Sequence, residues 1–190
     1  MMSAQTDTWP KPHRLTVDEY YRMAEVGLLS PDDRTELIEG EIIHMPPIGP
    51  THASVLAFLS DRLVPRAGVT AQVRLQSPIR FPPRSEPEPD VALVVARSDR
   101  YRKAHPVARD VLLLMEVSDS TLRYDLDVKG RLYATHGIPE YWVVDLVDDR
   151  VWRHRRPSGR QYAERDELRE GTLELPGGLG ELAVAELFTP

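Results

Sequence analysis

Two apolar runs constrain this chain more than anything else in it. Val91-Ala92-Leu93-Val94-Val95 and Val111-Leu112-Leu113-Leu114-Met115-Glu116-Val117 read as continuous hydrophobic strands. Strands of that kind are covered on both faces. Each has a carboxylate at one end. Asp90 follows Pro89 at the mouth of the first run, and Glu116 lies near the end of the second. A carboxylate among apolar neighbours is costly unless it is paired or binds a cation. Two carboxylates brought together from adjacent strands repel, and one pKa rises unless a divalent ion neutralises them. Mg²⁺ suits such a pair, because it accepts one or two carboxylates and completes its shell with water and phosphate. Taken singly, the two acids have plainer explanations: Asp90 as a turn cap, and Glu116 as the partner of an arginine.

The remaining pattern interleaves helices and strands around these two runs. Residues 1–14 are polar, contain Pro10 and Pro12, and read as a flexible arm; 15–190 read as a single domain. Thr16-Val17-Asp18-Glu19 has capping-box spacing and starts a short helix that runs to about Val26. Residues 35–43 form two short strands around Gly40, and the 51–64 segment has apolar residues at helical spacing. Strands are expected at 69–74 and 79–81. A helix is expected from about Thr121 to His136, closed by Gly137. Strands follow at 140–145 and 151–155, then a weak strand at 172–175, a Gly-rich turn, and a short helix at 184–188. This order implies an α/β fold with a mixed β-sheet flanked by helices.

Composition removes several chemistries. The 190 residues contain no cysteine, which excludes disulfides, thiolate zinc sites and cysteine nucleophiles. That composition suits a reducing compartment, and the opening residues lack the apolar core of a signal peptide, so a cytoplasmic location is expected. No apolar run approaches the ~20 residues of a membrane span. P-loop, nucleophile-elbow and H-E-x-x-H motifs are absent. A formal charge of −6 argues against a surface that is basic throughout. It leaves room for an enzyme that meets nucleic acid through a local patch.

Two further charged residues sit where charge is unexpected. On a wheel of about 100° per residue, Leu122, Leu126, Leu132, Tyr133 and His136 fall within about 60° of Lys129, with Gly130 and Arg131 on the other side. Lys129 therefore centres the apolar face and must snorkel or reach a buried anion. Glu36 adjoins the apolar pair Leu37-Ile38, as a site residue or as an edge-strand charge that opposes aggregation.

Pro89-Asp90 followed by Glu116-Val117-Ser118 resembles the PD-(D/E)xK signature of restriction-endonuclease-like nucleases, with Ser118 where that signature usually has lysine. Glu36-Leu37-Ile38-Glu39-Gly40-Glu41, Gly49-Pro50 with His52, Tyr124-Asp125 with Lys129, and Gly137-Ile138-Pro139-Glu140-Tyr141-Trp142 are similar to the Uma-type endonuclease family. The likeness spans about Leu15 to Phe188. It implies a restriction-endonuclease-like fold and a hydrolase that cuts phosphodiesters in nucleic acid, DNA before RNA, with Mg²⁺ or Mn²⁺. By this resemblance Asp90, Glu116 and the Val117 backbone carbonyl hold the metal. The catalytic lysine has moved from the strand to the following helix, as Lys129. Glu36 stands beside the metal, and His52, Ser118, Tyr124 and Asp125 support the site. A homodimer is implied, since double-strand cleavage by this fold usually needs two sites.

Two basic patches offer phosphate contacts: Arg97, Arg100, Arg102 and Lys103, and a second with Arg150, Arg153, His154, Arg155, Arg156 and Arg160 around Trp152. The first also reads as a solvated loop and the second as a charged hairpin. A catalytically silent binding or assembly module that keeps the nuclease fold is the alternative from another functional class. A hydrolase of small phosphate esters is a third.

Overall fold

The computed structural model describes residues 10–30 and 32–189. Helix α1 (Val17–Glu25) leads to a hairpin of β1 (Thr35–Ile38) and β2 (Glu41–His44), and helix α2 (Pro50–Ala67) follows. The main strands are β3 (Ala71–Leu75), β4 (Val91–Val95), β5 (Val111–Ser118), β6 (Glu140–Asp145), β7 (Arg150–Ser158) and β8 (Gln161–Leu168). They form one six-stranded sheet of order β3-β4-β5-β6-β7-β8. All neighbours are antiparallel except β5 and β6, which run parallel. A parallel pair needs a crossover, and residues 122–135 supply it as helix α3. A second hairpin joins β9 (Thr172–Glu174) to β10 (Glu181–Ala183).

The two apolar runs are the central strands. Their alternation divides the core into two layers. Leu93, Leu113, Met115 and Val117 face α2 through Val55, Leu59 and Leu63. Ala92, Val94 and Leu114 face α3 through Leu132, Tyr133 and Ala134. Glu116 follows Leu114 by two residues and so points into the α3 layer, as Asp90 does two residues before Ala92.

Helix α1 begins at the expected capping box. Glu19 N–H donates to Thr16 Oγ1 at 3.2 Å, and Thr16 N–H donates to Glu19 Oε2 at 2.8 Å. Residues 1–9 of the expected arm lie outside the described residues. Its last residues are tied down: His13 meets Glu19, Arg14 pairs with Glu41, and Leu15 N–H donates to Gly40 O. Gly40 permits this docking, because a Cβ there would lie 2.9 Å from the Leu15 backbone.

Three expectations change. The stretch 79–81 makes only isolated bridges, Arg80 to Val107 and Phe81 to Ser85. β8 is an addition: its sequence is rich in charge (Gln161-Tyr162-Ala163-Glu164-Arg165-Asp166-Glu167-Leu168), as befits a sheet edge, and gives no apolar signal. Helix α3 is not uniform: Leu122–Tyr124 leads into a π-helical stretch, Asp125–Lys129, before Gly130–Thr135. The wider turn advances the face that follows it, so Gly130 is buried instead of facing solvent, where a Cβ would lie 3.7 Å from the Tyr141 ring.

His154 on β7 is buried against the rings of Tyr141 and Tyr162, each with its centroid 5.6 Å away. Burial, with Arg165 across the ladder, pushes its pKa down to about 4. The unfolded chain takes up this proton near pH 6.5 and the folded chain does not, so stability falls as pH drops from about 6.5 towards 4. A gap of that size corresponds to roughly 3 kcal/mol. In urea unfolding at pH 7 and pH 4.5, His154→Phe should lose less stability than the parent protein by up to that amount.

Candidate active site

The site forms where β4 begins and β5 ends. Antiparallel register sets Val91 opposite Met115, which places Asp90 beside Glu116. Val117 N–H donates to Asp90 Oδ2 at 2.8 Å, and Asp90 N–H lies 3.4 Å from Glu116 Oε2. His52, in the first turn of α2, reaches the same Asp90 Oδ2 with Nε2 at 3.1 Å. Burial raises the Asp90 pKa, but the His52 hydrogen bond and charge, the Val117 N–H and Lys129 outweigh it and hold the carboxyl below its ordinary value.

Behind the carboxylates lies Lys129, with no exposed surface. Its Nζ donates to Glu116 Oε1 at 3.0 Å and pairs with Glu36 Oε2 at 3.2 Å. Burial alone would discharge the lysine; the two glutamates reverse this and raise its pKa well above the ordinary value. Burial drives the Glu116 carboxyl upward, with Lys129 opposing and the carboxylates of Asp125, Asp90 and Glu36 adding to the rise. Glu36 reaches the site because β1 is bridged to the chain before Asp90: Leu37 and Glu86 exchange backbone hydrogen bonds, and Glu88 N–H donates to Glu36 Oε2 at 3.1 Å.

Ser118, at the usual lysine position of the signature, donates to Asp125 Oδ2 at 2.7 Å, and Thr121 Oγ1 donates to the same oxygen at 2.6 Å. These bonds fix the start of α3. The π-helical stretch then carries Asp125 and Lys129 inward together. Tyr124 is half-buried, its hydroxyl has no partner among the described residues, and burial with Glu36 nearby raises its pKa. Asp90, Glu116, Val117, His52 and Asp125 line one cavity of about 60 Å³, while Lys129 and Glu36 lie beneath its wall.

Two contributors escaped the sequence reading. Tyr133 OH donates to Glu116 Oε1 at 2.8 Å, and Gln76 Nε2 lies 3.4 Å from Asp90 Oδ1. The helical wheel places Tyr133 only on the apolar face, although a buried tyrosine hydroxyl requires a polar partner and marks one nearby. Gln76 sits just past β3 and carries no signal in one sequence.

The basic patches have different surroundings. Arg153 and Arg155 are committed to the carboxylates of β8: Arg153 to Asp166 at 2.8 Å, and Arg155 to Glu164 at 3.3 Å. Arg97 is paired with Asp99, whereas Arg100, Arg102 and Lys103 form no ion pair among the described residues.

Among the described residues no group of three or more His, Cys, Asp or Glu is arranged to hold a metal ion. The two-carboxylate pair nevertheless fits a hard dication. Each carboxylate has one firmly held oxygen and one with only a 3.4 Å contact, Asp90 Oδ1 and Glu116 Oε2. Free oxygen lone pairs beside a cavity are what Mg²⁺ needs, with water completing its shell.

The Lys129 network makes a stability prediction. Lys129→Met leaves two buried carboxylates without their cation and should cost about 3–5 kcal/mol in urea unfolding. Adding Glu36→Gln should restore part of that loss, because it removes one of the stranded charges.

The comparisons with known proteins agree with this architecture. No curated protein gives a significant sequence match. A crystal structure described as "a putative nuclease belonging to DUF820", from Anabaena variabilis, superposes with a TM-score of 0.73 at 19% identity, covering 92% of this chain and 98% of that one. At that identity the likeness establishes a shared fold. The model of the Uma2 family, described as "Putative restriction endonuclease", matches residues 17–185, and the chain belongs to that family.

Proposed function

We propose that this chain is a metal-dependent endonuclease that hydrolyses phosphodiester bonds in DNA. The observation that carries the reading is the meeting of Asp90 and Glu116 at one cavity with the buried Lys129 behind them. Family membership supports the broader nuclease-like role.

Asp90, Glu116 and the Val117 carbonyl would hold Mg²⁺ or Mn²⁺. When bound, such an ion lowers the pKa of a water and offsets charge on the phosphate. The side chains do the rest. His52 and the Val117 N–H fix one oxygen of Asp90, so its other oxygen keeps a set direction. Tyr133 and Lys129 do the same for Glu116. Lys129 stays cationic because Glu36 and Glu116 face it, which keeps a fixed positive charge behind the two carboxylates, where it would offset negative charge developing on a bound phosphate. Glu36 positions that lysine, and Asp125, held by Ser118 and Thr121, positions the helix that carries it. Cutting both strands of a duplex calls for two such sites, so a homodimer is the working assembly.

The test uses supercoiled plasmid, linear duplex, single-stranded DNA and structured RNA, each with Mg²⁺, Mn²⁺ or EDTA. DNA should be cut only with metal. Asp90→Ala and Glu116→Ala should abolish cutting, and Lys129→Ala, checked for folding by circular dichroism, should slow it by about 10²–10³-fold. Cutting confined to RNA would overturn the substrate assignment. Absence of cutting, together with Mn²⁺ affinity unchanged in Asp90→Ala by calorimetry, would overturn the nuclease reading and favour a silent binding module.

A further inference from the structure

On the α3 face of the sheet edge, away from the carboxylates, lies a second cavity of about 260 Å³. It is lined by Tyr21, Arg80, Tyr101, Arg102, Lys103 and His105. Arg74 of β3 adjoins it, half-buried, with its Nε buried and without a partner among the described residues, and with a guanidinium nitrogen 3.5 Å from His105 Nδ1. Arg80 has an acid partner, Glu86. Arg74, Arg102 and Lys103 form no ion pair among the described residues, which is unusual for cations gathered at a pocket in a chain of net charge −6. A half-buried guanidinium without a counter-charge retains unused donors in a partly desolvated place, and a phosphate is the anion its fork matches.

The pocket is also aromatic. The Tyr101 ring is flanked by Arg97 at 4.7 Å and Arg74 at 5.9 Å, and its hydroxyl is anchored to Val95 O at 2.7 Å. Arg80 lies 5.1 Å over the Tyr21 ring. Arg100 and Tyr101 both take left-handed backbone conformations, φ 50° and 59°, which non-glycine residues hold only where their surroundings demand it.

Position ties this pocket to the active site. Arg74 pairs with Ala92 in the ladder, and Gln76 N–H, two residues further on, donates to Asp90 O at 3.0 Å. Residues two apart share a face and are separated by about 7 Å along a strand. Arg74 thus lies on the face that carries Asp90 and Glu116, within the span of a few nucleotides at about 3.4 Å each.

We propose that Arg74, Arg102, Lys103 and His105 form a subsite for a backbone phosphate of the nucleic acid, a few nucleotides from the bond to be cut, with Tyr21 and Tyr101 walling it. This assignment rests on the nuclease reading above for the identity of its ligand. It separates the two basic patches: the β7 arginines are neutralised by β8, and the edge of β3 keeps its charge for the substrate.

Fluorescence anisotropy tests it with a fluorescein-labelled 16-nucleotide DNA, single-stranded and duplex, in EDTA so that nothing is cut. Arg74→Ala and the surface double variant Arg102→Ala/Lys103→Ala should each bind at least tenfold more weakly. Each should also lower the slope of log affinity against log salt by about 1 for every phosphate that is no longer neutralised. Arg169→Ala, on the far edge of the sheet, should change neither. Binding by both pocket variants within twofold of the parent, with an unchanged salt slope, would overturn the subsite. So would displacement of the DNA by polyglutamate as effectively as by unlabelled oligonucleotide of equal charge. Cleavage by the parent protein, abolished in Asp90→Ala, is scored separately. A failed subsite beside intact cleavage leaves the nuclease standing, and a working subsite with neither cleavage nor Asp90-dependent Mn²⁺ binding leaves the subsite standing and overturns the nuclease.

Discussion

A lysine with no exposed surface, held between two buried glutamates from different parts of the chain, is the interaction on which the rest of this structure turns. Glu36 comes from the β1–β2 hairpin, Glu116 from the central strand β5 and Lys129 from the crossover helix. None of the three tolerates burial alone, since an isolated ion in a low-dielectric interior is strongly disfavoured. Together they bring hairpin, sheet and helix to one point. The arrangement holds two carboxylates against one ammonium, and Asp90 stands next to it with another negative charge. Burial lifts the Glu116 carboxyl, and the carboxylates of Glu36, Glu116, Asp90 and Asp125 outnumber the cations that face them. A structural ion pair has no need of that surplus, and under the nuclease reading proposed above the surplus is what would receive a further cation.

The helix that delivers Lys129 is fixed at its start by the strand that carries Glu116. At the position two residues after Glu116 stands Ser118, whose hydroxyl secures Asp125 at the start of α3. The π-helical turn from Asp125 to Lys129 then brings both side chains to the buried side, which regular α-helical spacing over five residues also favours but which the wider turn adjusts. Gly130 makes room next to Tyr141, where a Cβ would come within 3.7 Å of the ring. Serine on the strand, aspartate and lysine on the helix, and glycine behind them thus form one local device.

Much of this was legible in the sequence, and the reason lies in which signals are local. The central strands announced themselves as unbroken apolar runs. Glu116, Lys129 and Glu36 stand out because each places charge where the pattern calls for hydrocarbon, Asp90 because it stands after Pro89 at the mouth of an apolar run, and the structure brings all four together. What was not legible depends on pairing between distant segments. β8 carries the polar alternation of an edge strand and no hydrophobic run, so only its partner β7 identifies it. The inward turn of Gly130 follows from a π-helical insertion that a wheel of constant angle cannot represent. The contact of Tyr133 with Glu116, and the gathering of Arg74 with His105 and the 97–103 loop, arise from residues 17 and 31 positions apart in the chain.

Charge placement carries the argument from fold to function. The chain is acidic overall, yet its two sheet edges treat arginine in opposite ways. Along β7 and β8 arginines meet carboxylates across the ladder: Arg150 with Glu167, Arg153 with Asp166, Arg156 with Glu164. Cross-strand pairs of this kind keep an edge soluble and leave little net field. At the β3 edge compensation is partial: Arg80 and Arg97 have acid partners, whereas Arg74, Arg102 and Lys103 form no ion pair among the described residues. A protein that merely needed solubility would gain nothing from withholding counter-charges at one edge. The unpaired Arg74 lies on the same sheet face as Asp90 and Glu116, so the two edges differ most in charge on the side where those carboxylates meet.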